Sequence, residues 1–379
     1  MKIAQIAPLY ESVPPKFYGG TERIVHFLTE ELVKMGHNVT LFATGDSETK
    51  ARLIANVDKG LRLDPFCVDP LTHHIVQMQE VVDRIHEFDI LHFHTDYLHF
   101  PVTQRINVPC VTTLHGRLDL ADLQPVYKKF SFQRVISISE SQQAPLPQAN
   151  WIGNVYHGLP KDLFALGSGK GEYLAFLGRI SPEKGIDRAI EIALASGSKI
   201  KIAAKIDKVD QLYFDEHIRQ LMDHPSIEFV GEIGESQKAD FLGNAKALLF
   251  PINWSEPFGL VMIEAMACGT PVIAFNEGSV PEVLDNLKTG FIVESVPEAV
   301  EAVSKIDLIS RPAVRQIFEN RFTSEIMAKR YIDLYTTTIN EFRNKEDESL
   351  KIFNKLPSFP ENDVKIVIDK SLNGDPYGR

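Results

Sequence analysis

The sequence predicts an α/β protein built from two consecutive units, each a parallel sheet with helices on both faces. Three observations lead there. At 379 residues the chain is longer than one ordinary core accommodates, and length alone points to two domains. Short apolar runs alternate with stretches of helical periodicity from one end to the other. The runs are apolar at successive positions, as in strands buried on both faces, so the sheets are expected to be parallel.

The first unit opens with a strand at residues 3–7, a loop containing Pro and Gly, and a helix at 21–35. Ile24, Val25, Leu28, Leu32 and Val33 give that helix its apolar stripe, with Thr21 as N-cap and Gly36 as stop. A strand at 38–43, a helical stretch at 75–86 and strands at 90–94, 109–114 and 135–139 follow. The second unit starts after a Gly- and Lys-containing stretch at 166–171. Its strands are expected at 173–177, 199–204, 227–230, 247–251, 271–275 and 291–293, with helices between them, one at 186–195. A helix at 324–340 follows the last strand. The expected division is 1–165 and 166–323, hinged near 158–171, with a charged tail at 345–379 that holds one strand-like run, 364–368.

Composition narrows the partners. A formal net charge of -11 argues against nucleic acid, which is bound by surplus Lys and Arg, and gives no support to peripheral membrane contact. Cys67, Cys110 and Cys268 are widely spaced and odd in number, which suits a reducing cytoplasm and offers neither a disulfide framework nor a zinc spacing. The N-terminus lacks the apolar core of a signal peptide, and no apolar run reaches the roughly 18 residues of a membrane span. A cytoplasmic protein is expected.

In open parallel sheets, ligands bind beyond the C-terminal strand ends, where helix N-termini present free amides. Two such units facing each other would enclose something phosphorylated. Four segments at those ends carry chemistry. The strongest is residues 255–269, SEPFGLVMIEAMACG. Pro257 is placed to be the first helical residue, leaving the amides of Phe258, Gly259 and Leu260 free for an anion. Glu256 and Glu264 are eight residues apart, too far for a mutually tuned pair and better suited to clamping hydroxyls at two depths of one elongated ligand. The alternative is that Glu256 caps the helix and Glu264 forms a surface ion pair.

The second segment is residues 177–185, LGRISPEKG, where Arg179 leaves a strand end and Lys184 follows near the next helix. A fixed guanidinium fork and a compact ammonium on one loop can hold a diphosphate and stabilise it as it leaves; a solvated Arg and Lys is the alternative. The third is FYGGT at 17–21, where Gly19 and Gly20 precede a helix and let backbone pack against a phosphate or sugar. It matches neither the dinucleotide fingerprint nor the P-loop, and a plain tight turn is its alternative. The fourth is rich in histidine: His92, His94, Asp96 and His99 after one strand, and His115 after another. H-x-H-x-D invites a metal, whereas histidines at strand ends also serve simply to hydrogen-bond loops. His115 is placed on the same rim as the Gly-Gly loop, where it can hold a sugar hydroxyl. No Asp-x-Asp pair occurs anywhere, so no metal on a diphosphate is expected.

Together these segments resemble the family 4 retaining glycosyltransferases, over about residues 1–343. The most specific part is E-x(7)-E coupled to G-R-x(4)-K-G, with Gly278 to Glu282 and the helix around 322–335 in support. The resemblance implies the GT-B fold: two Rossmann-like domains facing across a cleft, with the C-terminal helix crossing back to the N-terminal domain. It implies that Arg179 and Lys184 bind the donor diphosphate, that Glu256 and the amides of Phe258, Gly259 and Leu260 hold sugar and phosphate, and that Glu264 takes the ribose hydroxyls. It implies further that Gly19 and Gly20 close over the diphosphate and that His115 contacts the sugar. The implied reaction is hexose transfer, with retention and without metal or other cofactor, from a nucleotide-diphosphate sugar to a glycan, lipid or small-molecule hydroxyl. One departure stands out: where many members carry a Gly-rich turn, this chain has Lys205, Ile206, Asp207 and Lys208, so donor choice is not inherited. A nucleotide-sugar epimerase or hydrolase, a phosphorylase-like enzyme and a non-catalytic nucleotide-sugar-binding subunit are the competing readings.

Overall fold

Two all-parallel sheets organise the chain, each ordered so that its first strand lies inside the sheet. In the computed structural model, which describes residues 1–16 and 19–353, the first sheet holds seven strands. They are β1 (Lys2–Ile6), β2 (Asn38–Phe42), β3 (Arg52–Ile54), β4 (Ile90–Phe93), β5 (Cys110–Thr113), β6 (Arg134–Ser137) and β7 (Asn150–Asn154). Their order is β3-β2-β1-β4-β5-β6-β7. The second sheet holds β8 (Tyr173–Arg179), β9 (Lys199–Lys205), β10 (Ile227–Gly231), β11 (Ala247–Phe250), β12 (Val272–Phe275) and β13 (Gly290–Val293), in the order β10-β9-β8-β11-β12-β13. In each sheet the order reverses beside the first strand, between β1 and β4 and between β8 and β11, which opens a crevice at the C-terminal strand ends.

The apolar runs that marked the strands are the core. Strands β4, β11 and β12 are buried along their whole length, as double-sided cover by helices requires. Two strands went unrecognised in the sequence. β3 has three residues and β7 (NWIGN) is only half-buried, so neither edge strand carries a long apolar run. The Met1–Ile339 part forms one compact unit containing both sheets.

Helix boundaries needed tertiary context. The first helix is Gly20–Lys34 with Gly19 as N-cap, so Thr21 lies inside the first turn rather than capping it. The Gly19 carbonyl already accepts from the Arg23 amide at 3.1 Å. The helix expected at 75–86 is Pro70–Val82, because Asp69 caps it by accepting from the Leu71 amide and Pro70 fits the first position. The last helix, expected to end at 340, runs Ser324–Phe353, since no Gly or Pro interrupts the chain until Pro357. Phe17, Tyr18 and the run at 364–368 lie outside the described residues.

The last helix crosses back to the first sheet, as a GT-B fold requires. Tyr331 and Tyr335 are fully buried against it: Tyr335 is 2.6 Å from His92 of β4, and Tyr331 is 3.0 Å from Thr113 of β5. Among the described residues, no helix is long and apolar enough to cross a membrane.

Candidate active site

The C-terminal ends of both sheets open onto one cleft of about 880 Å³. All ten site residues expected from sequence line it, and they come from four separate segments that follow strand ends.

One end carries Arg179 and Lys184. Arg179 closes β8, and Lys184 ends the short 3-10 turn Pro182–Lys184 that follows. Gly185, at φ 68°, then turns the chain into the next helix, and a Cβ there would collide with the Pro251 carbonyl. Both cations rest on carboxylates. Arg179 pairs with Glu183 at 2.5 Å and lies 3.4 Å from Asp210 and 3.6 Å from Asp207. Lys184 pairs with Glu256 and sits 4.8 Å from the Trp254 ring centroid. The charged turn flagged in the sequence lies on this wall: Asp207 reaches Arg179 and also holds Lys205 at 3.0 Å.

Glu256 does not cap the helix beyond it. Its carboxylate accepts from Lys184 and, at 3.1 Å, from the Trp254 indole. That helix is Leu260–Ala267, so Pro257 is not its first residue. The reason is Gly259: its left-handed backbone, φ 76° and ψ 67°, makes the turn that starts the helix and places Pro257 and Phe258 before it. Leu260 and Val261 open the first turn and line the cleft, while the Met262 amide donates back to the Gly259 carbonyl at 3.0 Å. Phe258 is buried edge-on to His157 at 4.9 Å, which fixes the loop from below.

Glu264 is not a surface residue. Its side chain is 3% exposed and is held by Arg23 and, at 2.9 Å, by Lys238. Arg23 also reaches Glu235 at 2.5 Å. Burial by itself would raise the Glu264 carboxyl, but the two cations outweigh it and hold it down at about 2.

Gly19, Gly20 and His115 form the opposite wall. Gly20 faces Leu260 so closely that a Cβ on it would lie 3.6 Å from that side chain. His115 follows β5, stacks on His157 at 5.3 Å and bonds His94 at 2.8 Å. Burial lowers the His115 imidazole to about 3 and His94 well below the usual range, so both are neutral. The H-x-H-x-D motif resolves into hydrogen bonds: His92 bonds Tyr335 and Thr113, and His94 bonds Gln5 and His115. Asp96 is exposed and takes no part in these bonds. Among the described residues, no group of three or more His, Cys, Asp or Glu is arranged to hold a metal ion.

This arrangement coincides with two family matches. Glycosyltransferase Family 4 matches residues 18–150, and Glycosyl transferases group 1 matches residues 160–321, so together they take in most of the chain. The chain belongs to the family 4 glycosyltransferases. A relative with this ancestry is the capsular polysaccharide biosynthesis glycosyltransferase CapM of Staphylococcus aureus, 28% identical over 215 residues. That match covers 52% of this chain and spans about half, 52%, of CapM. The uncharacterized glycosyltransferase MJ1607 of Methanocaldococcus jannaschii is 23% identical, with 88% of this chain and 98% of the relative covered. Among solved structures, Anabaena HepE in complex with UDP-glucose has the same fold, with a TM-score of 0.69, 16% identity, and 89% and 100% of the two chains covered.

The glycosyltransferase cleft also contains residues that sequence reasoning missed. Arg23 is a buried cation and Lys238 a half-buried one, and Arg23 stands three positions after Gly20 on the buried face of the first helix. Its position beside Ile24 was the available signal, since a lone charge on an apolar stripe needs a partner. Glu22 is 5% exposed, and burial raises its carboxyl to about 7. Asp96, exposed on the cleft lining in positive-φ backbone at φ 50°, is raised to about 6 by the desolvation its surroundings impose. Nothing in their sequence surroundings distinguished either acid from a solvated one.

Proposed function

We propose that the chain transfers a hexose from a nucleotide-diphosphate sugar to a hydroxyl acceptor, with retention of configuration and without a metal ion. The supporting observation is the convergence of Arg179, Lys184 and the Leu260–Ala267 helix start at one end of a cleft whose other wall carries His115. Two cations and a helix N-terminus supply what a departing diphosphate needs, positive charge already aimed at where negative charge develops.

In this reading the diphosphate takes Arg179 and Lys184 from the carboxylates that hold them. Glu256, released from Lys184, is free to accept from sugar hydroxyls, and Glu264 from the ribose. The C1–O bond to the leaving phosphate breaks while the acceptor oxygen bonds to C1 on the same face. The acceptor proton passes to the leaving phosphate oxygen, so no side-chain base is required. The acceptor, a glycan, lipid or small molecule, enters from the loops of the first sheet.

The test is thermal shift of wild type and Lys184→Ala against UDP-, GDP-, ADP- and TDP-sugars without added metal and with a chelator, followed by turnover with the donor that binds. A selective shift that Lys184→Ala loses is expected. Loss of that charge is expected to lower kcat by about 100-fold to 1000-fold, as for removal of one oxyanion-hole donor. An inverted product anomer, or turnover that the chelator abolishes, would sink the corresponding part of the proposal.

A further inference from the structure

The buried polar chain behind His115 has one fixed point, the side-chain amide of Gln5. Gln5 is fully buried in β1 and outside the cleft lining. Its NH2 group donates to the Tyr335 hydroxyl at 3.0 Å, and its carbonyl lies 2.7 Å from His94 Nε2. An amide carbonyl only accepts, so His94 Nε2 carries the proton. His94 is neutral, which leaves its Nδ1 bare, and that nitrogen lies 2.8 Å from His115 Nε2. His115 Nε2–H is therefore the donor of that bond, and the Nδ1 of neutral His115 holds a lone pair. His115 Nδ1 is buried and has no partner in the protein.

The other half of the chain agrees with this polarity. Tyr335 accepts from Gln5 and donates to His92 Nδ1 at 2.6 Å; His92 Nε2–H then donates to the Thr113 hydroxyl at 2.7 Å. Thr113 in turn donates to Tyr331 at 3.0 Å. Gln5, Tyr335, His92 and Thr113 each accept once and donate once, and no two donors face each other.

We propose that Gln5 is a positioning residue that fixes the tautomer of His115 and leaves the buried Nδ1 of this cleft-lining residue as a hydrogen-bond acceptor, suited to a ligand hydroxyl and not to a phosphate oxygen. The hydroxyl is that of the sugar donor or its acceptor, and this part rests on the glycosyltransferase reading above. The signal crosses from the last helix, through Tyr335 and Gln5, to the cleft. Tyr335 thereby contributes to ligand choice without touching the ligand.

The experiment is two-bond 1H–15N correlation spectroscopy of 15N-histidine-labelled full-length protein near pH 7.5, with His115 identified by its absence from His115→Asn. Protonation of His115 on Nε2 is expected; protonation on Nδ1 overturns the proposal. Gln5→Leu is expected to yield both tautomers of His115, and Gln5→Glu, which keeps an oxygen on His94, is expected to restore Nε2. Tyr335→Phe, which frees the Gln5 amide to flip, is the second variant should Gln5→Leu not fold. An unchanged His115 in both folded variants overturns the role of Gln5. In turnover assays Gln5→Leu is expected to lose about tenfold in kcat, the scale of one hydrogen bond, with Gln5→Glu recovering it. Wild type that holds the Nε2 tautomer yet transfers no sugar would overturn the functional reading alone.

Discussion

Arg23 on the first helix and Glu264 on the Leu260–Ala267 helix form a buried ion pair that ties the first sheet's half of the cleft to the second's. Their side chains are 10% and 3% exposed, so salt does not screen the pair as it screens a surface one. Arg23→Ala leaves Glu264 with Lys238 alone and is expected to cost about 3 kcal/mol of stability, the scale for breaking a buried pair. Urea unfolding in low and in high salt measures it. A loss below about 1 kcal/mol would place this pair with surface bridges.

Donor affinity is expected to rise when a competing carboxylate is removed. Asp210 lies 3.4 Å from Arg179, and burial raises its carboxyl, so in the proposed reaction it competes with the diphosphate for that guanidinium. Asp210→Asn is expected to tighten nucleotide-sugar binding by roughly fivefold, about 1 kcal/mol. Titration calorimetry reads this directly, and weaker binding by the variant would show that Asp210 orients Arg179 rather than competing for it.

The buried histidines make the fold acid-sensitive. Burial lowers His99 to about 3 from an unfolded value near 6.5, and lowers His92 and His94 in the same direction. Below pH 6.5 the unfolded chain binds protons that the folded chain does not. The stabilisation is thus present above 6.5 and is lost as pH falls toward the folded value. His99 alone is expected to remove about 1.4 kcal/mol per pH unit between 6 and 4. Denaturation midpoints across that range test it, and a His99→Phe variant, which keeps the stacking on Phe93 at 3.8 Å, should flatten the slope.

Glu22 acts in the opposite sense. Its folded value of about 7 exceeds its unfolded value near 4.5, so its contribution is present below 4.5 and is lost as pH rises through 7. Glu22→Gln has no charge to bury. Relative to wild type it is expected to gain up to about 3 kcal/mol between pH 4.5 and 8. A constant difference over that range would mean that Glu22 ionises normally in the cleft.

The two-sheet architecture was legible because each buried strand is a short apolar run and each covering helix carries a stripe. Residues 90–94 and 271–275 could be nothing else. Edge strands β3 and β7 were not legible, since a strand exposed on one side lacks that mark. The ten cleft residues were legible because they sit just past strand ends, where topology alone gathers them.

The sequence by itself determined the two parallel sheets, the cleft at their C-terminal ends and the family, because local periodicity and short loop motifs encode them. Only the tertiary structure decided that Glu264 is buried between Arg23 and Lys238, that Arg179 rests on Asp207 and Asp210, and that Gln5 reaches His115 through His94. Those partners lie far apart in the chain. A buried charge or imidazole takes its state from whatever the fold packs against it, and no local pattern records that.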